Sequence, residues 1–123
     1  EVRGVDVLGV DARSLPCADG TFDLVLCNSV LEHEPEFWVV LGEIERVLTP
    51  GGTFACGVPA FSSRPMPTAT VLGFHAYPND FYRFSASAMR RIFFNGYQDV
   101  VVREIMEPPR VVGMGTRWQG ARP

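Results

Sequence analysis

The stretch that most constrains this chain is residues 37–48. Its apolar side chains, Phe37, Val40, Leu41, Ile44, Val47 and Leu48, recur at the spacing of one helical stripe. On either side stands a short apolar run, residues 22–27 (Phe-Asp-Leu-Val-Leu-Cys) and residues 53–58 (Thr-Phe-Ala-Cys-Gly-Val). Runs of that length and apolarity fit strands covered on both faces, which is the habit of parallel sheets. A helix between two such strands serves as the crossover that parallel neighbours need. Pro35 suits the first turn of this helix, and Thr49-Pro50-Gly51-Gly52 should end it and turn the chain. The spacing therefore predicts an α/β fold, with ligands bound beyond the carboxyl ends of the strands.

The remaining segments extend the alternation. Residues 5–10 read as a further strand, followed by a polar loop from Asp11 to the turn dipeptide Asp19-Gly20. Residues 59–84 look irregular, with Pro59, Pro65, Pro67 and Pro78, yet they carry Phe61, Phe74, Tyr77, Phe81, Tyr82 and Phe84. That aromatic content disfavours disorder, and a connection this long is usually functional. Ser85 should cap a second helix with Met89, Ile92 and Phe93 on one face, ended by Asn95-Gly96. Residues 97–106 read as a last, valine-rich strand stopped by Pro108-Pro109. We expect one domain over residues 1–123, built on an open, mostly parallel, doubly wound sheet.

Composition removes several function classes. The net charge is −3 and Arg90-Arg91 is the only adjacent basic pair, so no electrostatic footprint for nucleic acid is present. No stretch approaches the roughly 20 apolar residues of a membrane span. Cys17, Cys27 and Cys56 are odd in number and widely spaced, which supports neither a disulfide framework nor a metal site. Buried, reduced thiols in a cytoplasmic protein are the expectation.

Three strand ends carry candidate chemistry. Asp11-Ala12 follows the first, where a carboxylate accepts from an adenine-type amino group and a backbone N–H donates to a ring nitrogen; the alternative is that Asp11 starts a turn. Asn28-Ser29 follows the second and would face the ligand. His33, one turn further on, either acts as a base or polarises a substrate hydroxyl, or else bonds the backbone where the next helix begins. Beyond the third, His75, Tyr77, Asp80, Tyr82 and Arg83 would line a lid, or Phe74, Phe81 and Phe84 simply pin the loop to the sheet.

Four segments together carry a resemblance. Asp11-Ala12-Arg13-Ser14-Leu15-Pro16, running on to Phe22-Asp23, is similar to the "D-A-x-x-L-P-F-x-D-x-S-F-D" segment of the small-molecule methyltransferases often called type 11. Val30-Leu31-Glu32-His33 resembles their "V-L-E-H". Glu43 to Gly52 resembles their "E-x-x-R-V-L-x-P-G-G", and Asp80 to Ser85 the "D-F-Y-R-F-T" of one bacterial subgroup. Cys17 stands where the family usually has Phe, and Glu34 where an apolar residue is common.

The resemblance implies a class I S-adenosylmethionine-dependent methyltransferase with a Rossmann-like sheet. It implies S-adenosylmethionine as cofactor, held here by Asp11, Ala12, Asn28 and Ser29, and a small-molecule methyl acceptor near His75, Tyr82 and Arg83, with His33 as the candidate catalytic residue. It also implies a "D-x-G-x-G" loop after the family's first strand, which these residues do not contain. The chain is thus expected to be the C-terminal portion of such a domain, starting near the third strand and with the last strand missing or incomplete, inactive without the other half. The competing expectation is a non-catalytic fragment or degenerate relative serving as an interaction scaffold. A nicotinamide-dependent dehydrogenase shares the α/β order but gains nothing from these motifs. The acceptor molecule and the oligomeric state are not legible.

Overall fold

The computed structural model describes residues 9–61 and 80–120. Strand β1 (Phe22–Asn28) leads through a single 3-10 turn (Leu31–His33) into helix α1 (Phe37–Val47), which returns the chain to strand β2 (Leu48–Pro59). A short helix α2 (Ala86–Ala88) runs on as a π-helical turn (Met89–Phe93) and is followed by strands β3 (Tyr97–Met106) and β4 (Pro109–Arg117). The sheet order is β1-β2-β4-β3.

The crossover deduced from the sequence is present. β1 and β2 pair in parallel, with Cys27 opposite Cys56 and Asn28 opposite Gly57. Val40 and Ile44 of α1 belong to the same buried cluster as Phe54, Cys56 and Val58, and Val47 is buried as well. That core is closed by Phe84, Met89, Phe93 and Phe94, with the rings of Phe54 and Phe94 5.1 Å apart and those of Phe84 and Phe93 4.8 Å apart. Cys27 and Cys56 are free and buried; a hydrogen bond to the Cys27 thiol, and then burial, push the Cys56 thiol well up from its ordinary range.

Five expectations need correction. The sheet is mixed rather than mostly parallel, because β4 runs antiparallel to both of its neighbours. The last strand is neither missing nor incomplete, for β4 spans nine residues between β2 and β3. Pro109 does not stop the sheet but opens this strand, the first position being one where proline's missing N–H is tolerated. Thr49-Pro50-Gly51-Gly52 already belongs to β2, which starts directly at the end of α1. Ile92 is 51% exposed, since the π-turn rotates it off the face that buries Met89 and Phe93. Ser85 does cap, its hydroxyl accepting from the Ala88 N–H at 3.1 Å. The strand expected at residues 5–10 lies largely outside the described residues, with Gly9 and Val10 in a turn.

The loop that precedes β1 is strapped to α1 by one arginine. Arg46 donates to the carbonyls of Cys17 and Leu15 at 2.8 and 3.1 Å, and to the Asp19 carboxylate at 2.8 Å. Glu43 holds that guanidinium at 2.7 and 2.8 Å, and its Oε2 accepts from the Leu15 N–H at 2.8 Å. The i, i+3 spacing of Glu43 and Arg46 on α1 is what lets the two side chains meet. The Arg46 guanidinium, and after it the Leu15 N–H, hold the Glu43 carboxyl down at about 2.

Two predictions follow from this packing and this strap. A Cβ at Gly113 would stand 2.6 Å from the Met89 sulfur and 2.7 Å from the Phe94 ring, whereas one at Gly42 on α1 would meet nothing within 4 Å. Gly113→Ala should therefore destabilise by about 1–3 kcal/mol through overpacking. Gly42→Ala should stabilise by about 0.5–1 kcal/mol through helix propensity. Urea unfolding of both variants checks the opposite signs. Secondly, the folded-state pKa of Glu43 lies below its ordinary value near 4.5, so its contribution is full above that value and lost as pH falls through about 2. Thermal unfolding between pH 5 and 2 should show a loss that is smaller in Glu43→Gln; parallel pH profiles would refute the strap.

Candidate active site

Parallel pairing puts the carboxyl ends of β1 and β2 at one edge of the sheet. There Asn28 ends β1, and the next residue, Ser29, takes a left-handed φ of 53° while its N–H donates to the Gly57 carbonyl at 2.9 Å. A non-glycine residue in that conformation is uncommon and costs free energy. It turns the chain sharply off the strand, leaving the Asn28 side chain exposed at the sheet edge.

One cation reaches this edge from far along the chain. Arg110, near the start of antiparallel β4, lies opposite Pro59, and its Nη2 donates to Asn28 Oδ1 at 2.6 Å. The guanidinium has to pass the middle strand, and it does so at Gly57. A Cβ there would come 2.6 Å from Asn28 Oδ1 and 3.1 Å from Arg110 Nη2. Beside this cluster is an apolar concavity of about 410 Å3, lined by Leu26, Ala55, Val101, Val112 and Met114, with Asn28 and Arg103 at its polar margin. Arg110 was not singled out from the sequence. The signal that would have found it is the turn at Pro108-Pro109, once read as the bend of a hairpin.

The other sequence candidates fall into three groups. Asp11 is exposed and engaged by Arg13, which donates through its backbone N–H and Nε to Oδ1 at 2.9 and 3.1 Å and through Nη2 to Oδ2 at 2.9 Å. These bonds lower the Asp11 pKa, so the group is an anion at neutral pH. The Ser14 N–H also donates to the Asp11 carbonyl at 3.0 Å, so the residue both starts a turn and presents a carboxylate. Ala12 packs against the core.

His33 closes the 3-10 turn that follows Asn28 and Ser29, with Nε2 3.7 Å from Oε1 of Glu32. The Glu32 side chain is fully buried, and its backbone carbonyl accepts from the N–H groups of Phe81 and Tyr82 at 2.8 and 3.3 Å. The loop's C-terminal end is thereby tied to the segment that carries His33.

Tyr82 and Arg83 are built into that tie. The Tyr82 hydroxyl donates to the Pro35 carbonyl at 2.7 Å, and its ring sits edge-on to Phe37 at 5.1 Å. Arg83 makes a two-pronged ion pair with Asp80 at 2.7 and 2.9 Å, with both side chains largely buried. His75 and Tyr77 lie outside the described residues. Among the described residues no cluster of His, Cys, Asp or Glu has metal-site geometry.

Comparison with known proteins agrees with this architecture. A family model described as a methyltransferase domain matches residues 1–56. The demethylmenaquinone methyltransferase of Geobacillus sp. (strain WCH70) is 28% identical over 99 residues, covering 80% of this chain and 39% of the relative. That of Anoxybacillus flavithermus is 33% identical over 89 residues, covering 72% of this chain and 35% of the relative. The chain thus spans well under half the length of the curated relatives it matches. In fold it is similar to the Haemonchus contortus phosphoethanolamine N-methyltransferase 2 solved with S-adenosyl-L-methionine, with a TM-score of 0.72 at 12% identity, over 89% of this chain and 36% of that one. In the domain model matched by residues 1–56, in its relatives and in its strand order, the chain is similar to the S-adenosylmethionine-dependent methyltransferases.

Proposed function

We propose that this chain forms the acceptor-facing part of a methyltransferase that uses S-adenosylmethionine to methylate a small molecule. The observation that carries the reading is the edge itself. The parallel β1–β2 pair, the Ser29 turn and the loop strapped by Arg46 stand in the order of the family's motifs and point to one crevice. The residues present suit part of the cofactor. Asp11 offers an ionised acceptor to an adenine amino group, the Ala12 N–H suits a ring nitrogen, and Asn28 and Ser29 front the crevice. Nothing in the sequence supplies the Asp-x-Gly-x-Gly loop that closely approaches the methionine part.

When bound, the cofactor supplies a methyl group on an electrophilic sulfonium. The protein's task is then alignment and exclusion of water more than acid–base chemistry. His33 takes a proton only where the acceptor has to lose one. Tyr82 and Arg83 act on the acceptor side by fixing the end of the 59–84 loop; a direct contact would require the Tyr82 hydroxyl to leave the Pro35 carbonyl. His75, which lies outside the described residues, is assigned to the same side from the sequence alone.

Titration calorimetry tests the reading. The 123-residue chain should bind S-adenosylmethionine weakly or not at all, and a fusion with an upstream glycine-rich half should bind it. Micromolar binding by the short chain would overturn the assignment of the missing loop, and silence from both would favour a scaffold. In the fusion, Asp11→Ala should weaken cofactor binding roughly tenfold while leaving turnover at saturating cofactor within about twofold, as expected for a hydrogen bond remote from the transferring group. An unchanged dissociation constant would return Asp11 to its turn.

A further inference from the structure

We propose that Arg110 and Asn28 together form an anion-binding site, so that the acceptor carries an ionised oxygen on an apolar body. The first argument is hydrogen-bond accounting. Asn28 Oδ1 is occupied by Arg110 Nη2, which fixes the amide so that Nδ2 is its free end. Among the described residues, Nδ2 of Asn28 and the Nε and Nη1 of Arg110 have no hydrogen-bond partner. What remains at this edge is a set of donors with no acceptor, which is the complement of a carboxylate or phenolate.

The second argument is charge. Among the described residues no carboxylate forms an ion pair with Arg110. Arg13, Arg46 and Arg83 are each held by a carboxylate within 3 Å, and Arg90, Arg103 and Arg117 donate to backbone carbonyls, whereas Arg110 meets a side-chain amide. A half-buried guanidinium with no carboxylate partner among the described residues is suited to an anion that arrives with a ligand.

The third argument is steric. Gly57 leaves the space over the middle strand through which Arg110 reaches Asn28. The neighbouring concavity, lined by Leu26, Ala55 and Met114, takes the apolar body. An ionised oxygen is also what an acceptor would place opposite a cationic sulfonium, whereas the guanidinium repels that cation. Arg110 is therefore assigned to the acceptor rather than to the sulfonium end of the cofactor. The word acceptor rests on the methyltransferase reading; the anion site does not.

The experiment is a 15N–1H titration of the 123-residue chain with 2-naphthoate and, separately, with its neutral isostere 2-naphthamide. Naphthoate should shift the Asn28 side-chain amide and the Arg110 Nε–H signals, and bind at least about fivefold more tightly than the amide, as a charge-assisted contact requires. Arg110→Gln should abolish that preference, and so should Asn28→Asp, which places a carboxylate beside the guanidinium and leaves the fold intact. Arg91→Gln, with the same loss of charge on the exposed face of the π-turn, should retain it. Equal affinity for the two probes, or an equal loss in Arg91→Gln, overturns the proposal. Charge discrimination without cofactor binding by the fusion would defeat the methyltransferase reading alone. Cofactor binding without discrimination would defeat the anion site alone.

Discussion

The parallel pairing of β1 with β2 is the constraint on which the rest depends. Two strands running the same way cannot be joined by a tight turn, so the chain must cross over one face of the sheet. It crosses as α1, which buries Val40 and Ile44 in the core cluster and fixes which side of each strand becomes core. Because the strands are parallel, their carboxyl ends fall at one edge, in register at Asn28 and Gly57. Every feature proposed for chemistry either sits on that edge or is tied to it.

The motif segments acquire physical meaning in this frame. Glu43 and Arg46 do not face a ligand. They hold the Asp11–Gly20 loop against the back of the crossover helix through the carbonyls of Leu15 and Cys17, the Leu15 N–H and the Asp19 carboxylate. Asp80, Tyr82 and Arg83 do the corresponding work for the long loop, by a buried ion pair and a hydroxyl bonded to the Pro35 carbonyl. Such spacing reports loops that must be held in place, which is a prerequisite of a site rather than the site itself.

What the sequence made legible followed range. α1, β1 and β2 were readable because apolar period and run length are local signals, and Ser85 because a cap is read within three residues. β4 was not readable: Pro108-Pro109 looks the same whether a strand stops there or turns back, and only pairing with β2 and β3 decides. The π-turn likewise shifts Ile92 out of a helical phase that the sequence had assigned to the core. At the site, Asn28 and Ser29 were found because they end a recognisable strand. Arg110 was not, because its contact with Asn28 spans 82 positions of sequence and depends on a strand that had not been identified.

Three details of the edge have no local reason, yet one contact accounts for them together. Ser29 adopts a left-handed backbone although it is not glycine, at a cost of order 1 kcal/mol. Position 57, near the carboxyl end of β2, carries glycine, where a β-branched residue would favour the strand. Arg110 reaches across a strand to a side-chain amide, whereas the strand arginines Arg103 and Arg117 donate to backbone carbonyls. The Ser29 turn ends β1 so that Asn28 is its last residue, with the N–H of Ser29 secured by the Gly57 carbonyl. Glycine at 57 clears the path between strands, and the guanidinium then closes on Asn28 Oδ1 at 2.6 Å. Each choice disfavours local stability, and strain of this kind persists only where the surrounding structure over-determines it. Here the surroundings are the rigid β1–β2 register and the β4 strand beside it. They hold three donors at the one edge of the sheet where this architecture places its ligands.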